Sequence, residues 1–253
     1  PKLEQSGIRI RAYDDLTGGE RAWLTEYFLR EVFPVLTPLV FDPGHPFPHI
    51  SNLSVNLAVK LLDPAEGAVH YGRIKVPAML PRLVPLPAAP SQPLAGERRP
   101  RSRGAKRNGA DPAAPADGGV RQDFVWIEQV VAANLAYLYP GVEIVEAYAF
   151  RVSRDADIEI QEEAADDLLR TIERGVRQRR FGPVVRVEID QAMSQHMRGL
   201  LTQNLGVAPD DVYEMDGPLG MSSLVSLLDI DRYDLKDRPF VPHLPSVFTG
   251  KES

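Results

Sequence analysis

Hydrophobic and polar positions change period several times along the chain, and each change marks an element. Trp23, Leu24, Tyr27, Phe28 and Val32 recur at helical spacing. Thr17-Gly18-Gly19-Glu20 stands ahead of them with the spacing of a capping box, so a helix starts there and Pro34 ends it. From Phe33 to Asn52 the prolines forbid helix and central strand alike, which predicts a shaped, largely extended connector. Period two then takes over. Leu53, Val55, Leu57, Val59 and Leu61 alternate with Ser54, Asn56, Ala58 and Lys60, the pattern of a half-buried strand. Asp63 to Gly67 has turn composition, and Val69 to Val76 is expected to return as the antiparallel partner.

The second half follows the same logic. Ile127, Val130, Val131, Leu135 and Leu138 mark one face of a helix that Pro140-Gly141 terminates. A strand is expected from Val142 to Val152. Glu162 to Arg180 reads as a long helix: Leu168, Leu169, Ile172 and Val176 form its apolar stripe, with acids early and arginines late. Phe181-Gly182-Pro183 stops it. Val185, Val187 and Ile189 form another strand, and a helix from Met193 to Leu205 closes on Gly206. Val212 to Met215 is a short strand, Asp216-Gly217 a turn, and Ser222 the N-cap of a last helix through Leu228. This order predicts an α+β fold, a two-layer sandwich of a mixed or antiparallel sheet with helices. A doubly wound α/β fold is the alternative, but no glycine-rich phosphate loop follows any predicted strand.

Composition changes the picture in one place. Pro85 to Gly119 is rich in Pro, Ala and Gly and lacks aromatic residues, which predicts a disordered insertion. It holds a basic run, Arg98, Arg99, Arg101, Arg103, Lys106 and Arg107. That run reads first as a solvated linker and second as a polyanion contact. Elsewhere acids dominate: 35 acidic against 29 basic residues give a net charge of −6, which argues against a dedicated nucleic-acid binder. At 253 residues the chain suits one large domain or two small ones. The absence of cysteine excludes disulfides and thiolate chemistry. Neither a signal peptide nor an apolar run long enough to cross a bilayer is legible.

Candidate chemistry is sparse. His45 and His49 are four apart, yet Pro46 and Pro48 preclude the helix that would aim both at a metal. His70 and His196 lack an acidic partner at fixed local spacing. Asp155 and Asp157, at the end of a predicted strand, would share a face and could hold a hard cation. The structural reading, with Asp155 bonding turn backbone and Arg154 pairing with an acid, is preferred.

The stretch Tyr27 to Leu57 (YFLREVFPVLTPLVFDPGHPFPHISNLSVNL) resembles the passage from the N-terminal helical domain into the head domain of bacterial polyphosphate kinases. Ile74-Lys75-Val76-Pro77, Leu80-Pro81-Arg82, Phe150 to Asp157 (FRVSRDAD), Arg179-Arg180-Phe181-Gly182, and Val212-Tyr213 through Gly217-Pro218-Leu219-Gly220 agree in the same order. The resemblance implies a division into 1–40, the end of the N-terminal helical domain; 41–235, the head domain with an insertion at 85–119; and 236–253, a linker toward an absent catalytic domain. For the parent enzyme it implies reversible transfer of the γ-phosphate of ATP to inorganic polyphosphate through a phosphohistidine, with Mg2+.

None of the five histidines matches the family's phospho-acceptor motif, so no catalytic residue carries over. This chain alone is expected to be inactive and to bind neither ATP nor Mg2+. The role implied for it is dimerisation as a homo-oligomer and support of the active-site tunnel. Arg154, Asp155 and Asp157 would be a structural or interdomain cluster, and His45, His49 and Asn52 part of an interdomain connector. A cytoplasmic location is expected, with peripheral membrane attachment left open. A free-standing polyanion-binding or dimerisation module is the competing reading.

Overall fold

The computed structural model describes residues 2–41, 47–87, 121–155, 182–237 and Phe240. Two compact units are distinguished, Pro1–Met221 and Ser222–Ser253.

The first unit opens with a single turn, α1 (Lys2–Gln5), and a short strand, β1 (Ile8–Ile10). Helix α2 (Gly18–Tyr27) starts at the expected capping box: the Thr17 hydroxyl accepts from the Glu20 N–H at 3.3 Å, and the Glu20 carboxylate accepts from the Thr17 N–H at 2.7 Å. A π turn over Phe28–Val32 and a 3-10 turn over Phe33–Val35 follow. Pro34 has no N–H to give and its ring crowds the preceding turn, so the α ladder cannot continue.

The main sheet has six strands: β2 (Leu39–Phe41), β3 (Val55–Leu62), β4 (Val69–Lys75), β7 (Glu143–Arg154), β8 (Val184–Asp190) and β9 (Val212–Met215). Their order is β2-β4-β3-β7-β8-β9. All pairs are antiparallel except β8–β9. A small sheet has the order β1-β6-β5, where β5 is Leu83–Pro85 and β6 is Gln122–Trp126. Its β1–β6 pair is parallel and β5–β6 antiparallel. Helices α3 (Ile127–Ala133), α4 (Leu135–Leu138) and α5 (Gln195–Leu205) complete the unit. The class is mixed α+β, as the pattern predicts.

Two cores lie on the main sheet. One gathers Leu24, Phe28 and Val32 with Leu57, Val59, Leu61 and Ile74 and with Val125, Ile127 and Val130. The other joins Ile50, Ala58, Phe150, Val152, Val187 and Ile189 to Met197 and Leu201 of α5. Each such side chain contributes ~1.5–3 kcal/mol by leaving water. Strand β3 therefore has both faces covered, and Val55 to Val59 are all buried. The half-buried reading is corrected here. Val55, Leu57, Val59 and Leu61 fill one core, while Asn56 and Ala58, read as an outer face, are hydrogen-bonded or small enough to be buried on the other.

Other expectations shift in smaller ways. The connector contains an edge strand, β2, where the proline restriction is lenient. The helix beginning at Ile127 breaks at Asn134, whose side-chain amide donates to the Val130 carbonyl at 2.8 Å and competes with the ladder. The small sheet is wholly unexpected: Pro85 pairs with Phe124 and Leu86 is buried, so ordered chain runs past the expected start of the insertion at 85. Pro85 is tolerated because β5 is an edge. The final short helix is a 3-10 stretch, Met221–Asp229, rather than an α-helix capped by Ser222. The helix expected at 162–180 lies outside the described residues.

In the second unit, Tyr233–Leu235 forms a 3-10 turn, Arg232 holds Asp234 through two bonds at 2.8 and 2.7 Å, and Lys236 covers the Tyr233 ring. Tyr233 and Phe240 are exposed.

Candidate functional site

Strand β7 ends in Arg154 and Asp155 beside the segment Phe47–Ser54, and Arg154 fastens the two together. Its N–H donates to Asn52 Oδ1 at 2.8 Å, its Nε to the Ile50 carbonyl at 2.8 Å, and its Nη1 to the Gly182 carbonyl at 2.7 Å. Nη2 faces His49 Nδ1 at 3.4 Å. Three residues singled out in sequence, Arg154, His49 and Asn52, thus meet at one place. Asp155 donates its N–H to the Pro183 carbonyl at 2.9 Å, extending the pairing of β7 with the chain entering β8. Asp157, His45 and the arginines and lysine of 98–107 lie outside the described residues. Burial draws the Arg154 pKa below the usual arginine value. A cleft of about 370 Å3 opens beside it, lined by Phe47, His49, Arg154, Pro183, Asn204 and Gly206 among others.

Leu53 has φ 57° and is the sole described non-glycine residue in the left-handed region. That conformation costs a leucine ~1–2 kcal/mol. It is held from both sides: its N–H donates to the Val152 carbonyl at 2.9 Å, and its carbonyl accepts from Arg151 Nε at 3.3 Å. Arg151 is fixed in turn by Glu188 at 2.9 Å.

On β4, Tyr71, Arg73 and Lys75 occupy alternate positions and share a face. Arg73 Nε donates to Asn56 Oδ1 at 2.8 Å, and Lys75 Nζ to Ser51 Oγ at 3.0 Å. Asn56 Nδ2 donates to Ser54 at 2.9 and 3.1 Å, and Ser54 Oγ to the Ser51 carbonyl at 2.7 Å. Burial, the larger influence, lowers the Arg73 pKa, while the Tyr139 hydroxyl acts the other way. Tyr71 Oη lies 2.6 Å from His196 Nε2.

A second cleft of about 370 Å3 sits over the opposite face, with Leu57, Ala147 and Ala149 among its lining. Its polar groups are engaged. Glu128 is bound by Arg82 at 3.1 and 2.5 Å, Asp190 Oδ1 accepts from the Ala192 N–H at 2.8 Å, and Asp216 Oδ1 accepts from Gln191 Nε2 at 2.9 Å. Arg82 also donates to the Leu219 carbonyl at 3.0 Å and lies over Trp126.

Sequence reading missed Arg73, Asn56, Lys75 and the Arg82–Glu128 pair. Arg73 and Lys75 had a signal, two basic residues at alternate positions of one strand, and Asn56 had the weaker one of a polar residue within an apolar strand. The Arg82–Glu128 pair had none, since only the fold brings the two together. Among the described residues, no group of three His, Asp or Glu stands close enough to hold a metal ion.

These arrangements bind backbone carbonyls and polar side chains. Fold and site together define a mixed α+β domain in which cationic side chains grip a proline-rich connector. The polyphosphate kinase middle domain, as a family, matches residues 19–227. The chain belongs to the polyphosphate kinase family. It is 45% identical over 242 residues to polyphosphate kinase 1 of Chlorobaculum tepidum, covering 96% of this chain and 31% of that protein. It is 44% identical over 253 residues to the polyphosphate kinase of Mycolicibacterium gilvum, covering 100% of this chain and 31% of that protein. The chain thus spans about a third of the length of these relatives. The crystal structure of polyphosphate kinase from Porphyromonas gingivalis shares the fold, with a TM-score of 0.64 at 21% identity over 96% of this chain and 30% of that one.

Proposed function

We propose that this chain is the non-catalytic head portion of a polyphosphate kinase whose parent enzyme reversibly transfers the γ-phosphate of ATP to inorganic polyphosphate through a phosphohistidine. One observation carries the reading: identity above 40% spans the whole chain while the chain matches only about a third of each relative. The head supports dimerisation and the active-site tunnel. Residues 1–40 close the N-terminal helical domain, 41–235 form the head, and 236–253 lead toward the catalytic part. The described side chains fit this role. Arg154 with Asn52 and His49, and Arg151 with Leu53, hold the connector on the sheet as an interdomain element requires.

ATP and Mg2+ belong to the parent. Among the described residues, no group of three His, Asp or Glu stands close enough to hold a hard cation. A cytoplasmic place of work, with peripheral membrane attachment as the alternative, comes from the family resemblance; among the described residues no helix is long and apolar enough to cross a membrane.

The experiment is an assay of residues 1–253 for ATP-dependent polyphosphate synthesis, beside a full-length relative. The chain alone is expected to show no turnover while the relative is active. Turnover by the chain, abolished by changing one of its own histidines, would overthrow the reading.

A further inference from the structure

One face of the main sheet carries two cations with no counter-ion among the described residues. Arg73 and Lys75 are alternate residues of β4, with Ala58 and Asn56 opposite them on β3 and Leu39 opposite Arg73 on β2. No carboxylate stands among these neighbours. Glu146, further along the same face, is engaged by Lys60 and Tyr148. Arg73 is only 7% exposed, and beyond its Nε bond to Asn56 it makes no other hydrogen bond among the described residues. Among the described residues, Lys75 Nζ bonds to the Ser51 hydroxyl alone.

A guanidinium this deeply buried is normally paired, because an unpaired buried charge is costly. Here Asn56 orients it and supplies no charge. Its Nη groups form a planar donor fork that suits two oxygens of one anion, and the Lys75 ammonium adds a mobile point charge beside it. Arg154 brings a third cation to the same connector, also without a carboxylate among the described residues.

We infer that Arg73 and Lys75, with Ser51 beside them and Asn56 as the residue that positions Arg73, form a site for a phosphate-type oxyanion. The anion is either free inorganic phosphate or one phosphate group of a longer chain. The site rests on charge, burial and register; only the second source leans on the family reading above.

The test titrates residues 1–253 with orthophosphate and, separately, with tripolyphosphate, following the Arg73 Nε–H resonance by nitrogen-15 NMR. That proton is held by Asn56 and is assigned by its loss in Arg73→Lys. A saturable shift with tripolyphosphate is expected. A shift with orthophosphate as well would make the site one for a single phosphate; a shift with tripolyphosphate alone would make it one for a chain. Lys75→Met should weaken binding about tenfold, which is ~1.4 kcal/mol, with melting temperature unchanged, and Lys75→Arg should restore most of it. Replacing Arg98, Arg99, Arg101, Arg103, Lys106 and Arg107 by glutamine should leave the shift in place.

Absence of a saturable shift at millimolar concentrations of either probe would overturn the proposal. So would a shift indifferent to Lys75→Met, or one lost with the six insertion residues. The family reading would survive each of those results, since it fails only on the synthesis assay.

Discussion

The Tyr139 hydroxyl is buried without a partner, and it presses on Gly72. A Cβ at position 72 would sit 2.8 Å from Tyr139 Cζ and closer still to the hydroxyl oxygen. The glycine is there for space, since its backbone angle is one that any residue adopts. Gly72→Ala is expected to cost ~1–3 kcal/mol through overpacking in a core that cannot relax. Tyr139→Phe removes an unsatisfied hydroxyl and should be near neutral or stabilising. In the double variant part of the Gly72→Ala cost should vanish, and urea unfolding of the four proteins measures that coupling. Equal costs of Gly72→Ala in both backgrounds would show that the hydroxyl is not what the glycine accommodates. Burial also pushes the Tyr139 pKa upward, against the opposing pull of Arg73, so the ring stays neutral at any ordinary pH.

At the scale of elements, α2 shows how a local motif fixes a boundary. Burial alone would raise the Glu20 pKa; the Thr17 N–H and hydroxyl and the Arg11 guanidinium outweigh it and hold the carboxyl below its usual value. A carboxyl depressed in the folded state stabilises the fold above its unfolded pKa of about 4.3 and loses that contribution as pH falls through the lower folded value. Thr17→Ala should therefore cost ~1 kcal/mol at neutral pH, and the gap to the parent should shrink on acidification below about pH 4. Chemical denaturation at a series of pH values reads this directly, and a gap that stays constant down to pH 3 would mean the capping carboxylate contributes nothing.

The same scale explains what the sequence made legible. Strands β3, β4, β7 and β8 are long enough to display their own period, and α2 and α5 carry their caps on the chain as Thr17 and Ser194. Strands β1 and β5 have three residues each, too few for a period, and exist because β6 offers both its edges. Asn134 breaks a helix through a bond available to any asparagine, which composition cannot announce. Arg154 was picked out by its place at the end of a predicted strand and Asn52 by family resemblance, while their meeting depends on where β7 ends beside the connector. Arg73 and Lys75 alternate along β4, but the burial of Arg73 is set by neighbouring elements and is not legible in the strand's own period.

For the whole molecule, the question is what covers the surface around α2 and β2. Leu29, Phe33, Val35, Leu39 and Val40 are large, apolar and at least 39% exposed within one stretch of chain. Such a concentration is unusual on an isolated monomer. If the head portion dimerises, sedimentation of the chain at high concentration should show a species of twice its mass, and Phe33→Glu with Val40→Glu should abolish it. A strictly monomeric particle would remove dimerisation from the role proposed for the isolated chain.

The small sheet also sets a timetable. Strand β1 is tied to β6, and the Arg9–Asp123 pair that clasps them joins residues 114 positions apart. At a synthesis rate of about 5–20 residues per second, the first strand leaves the ribosome roughly six to twenty-three seconds before its partner exists. The amino-terminal segment must stay soluble through that wait with its apolar residues uncovered. A product cut short before Gln122 would have no β6 with which to close this sheet, so the segment ahead of it is not a complete folding unit in its own right.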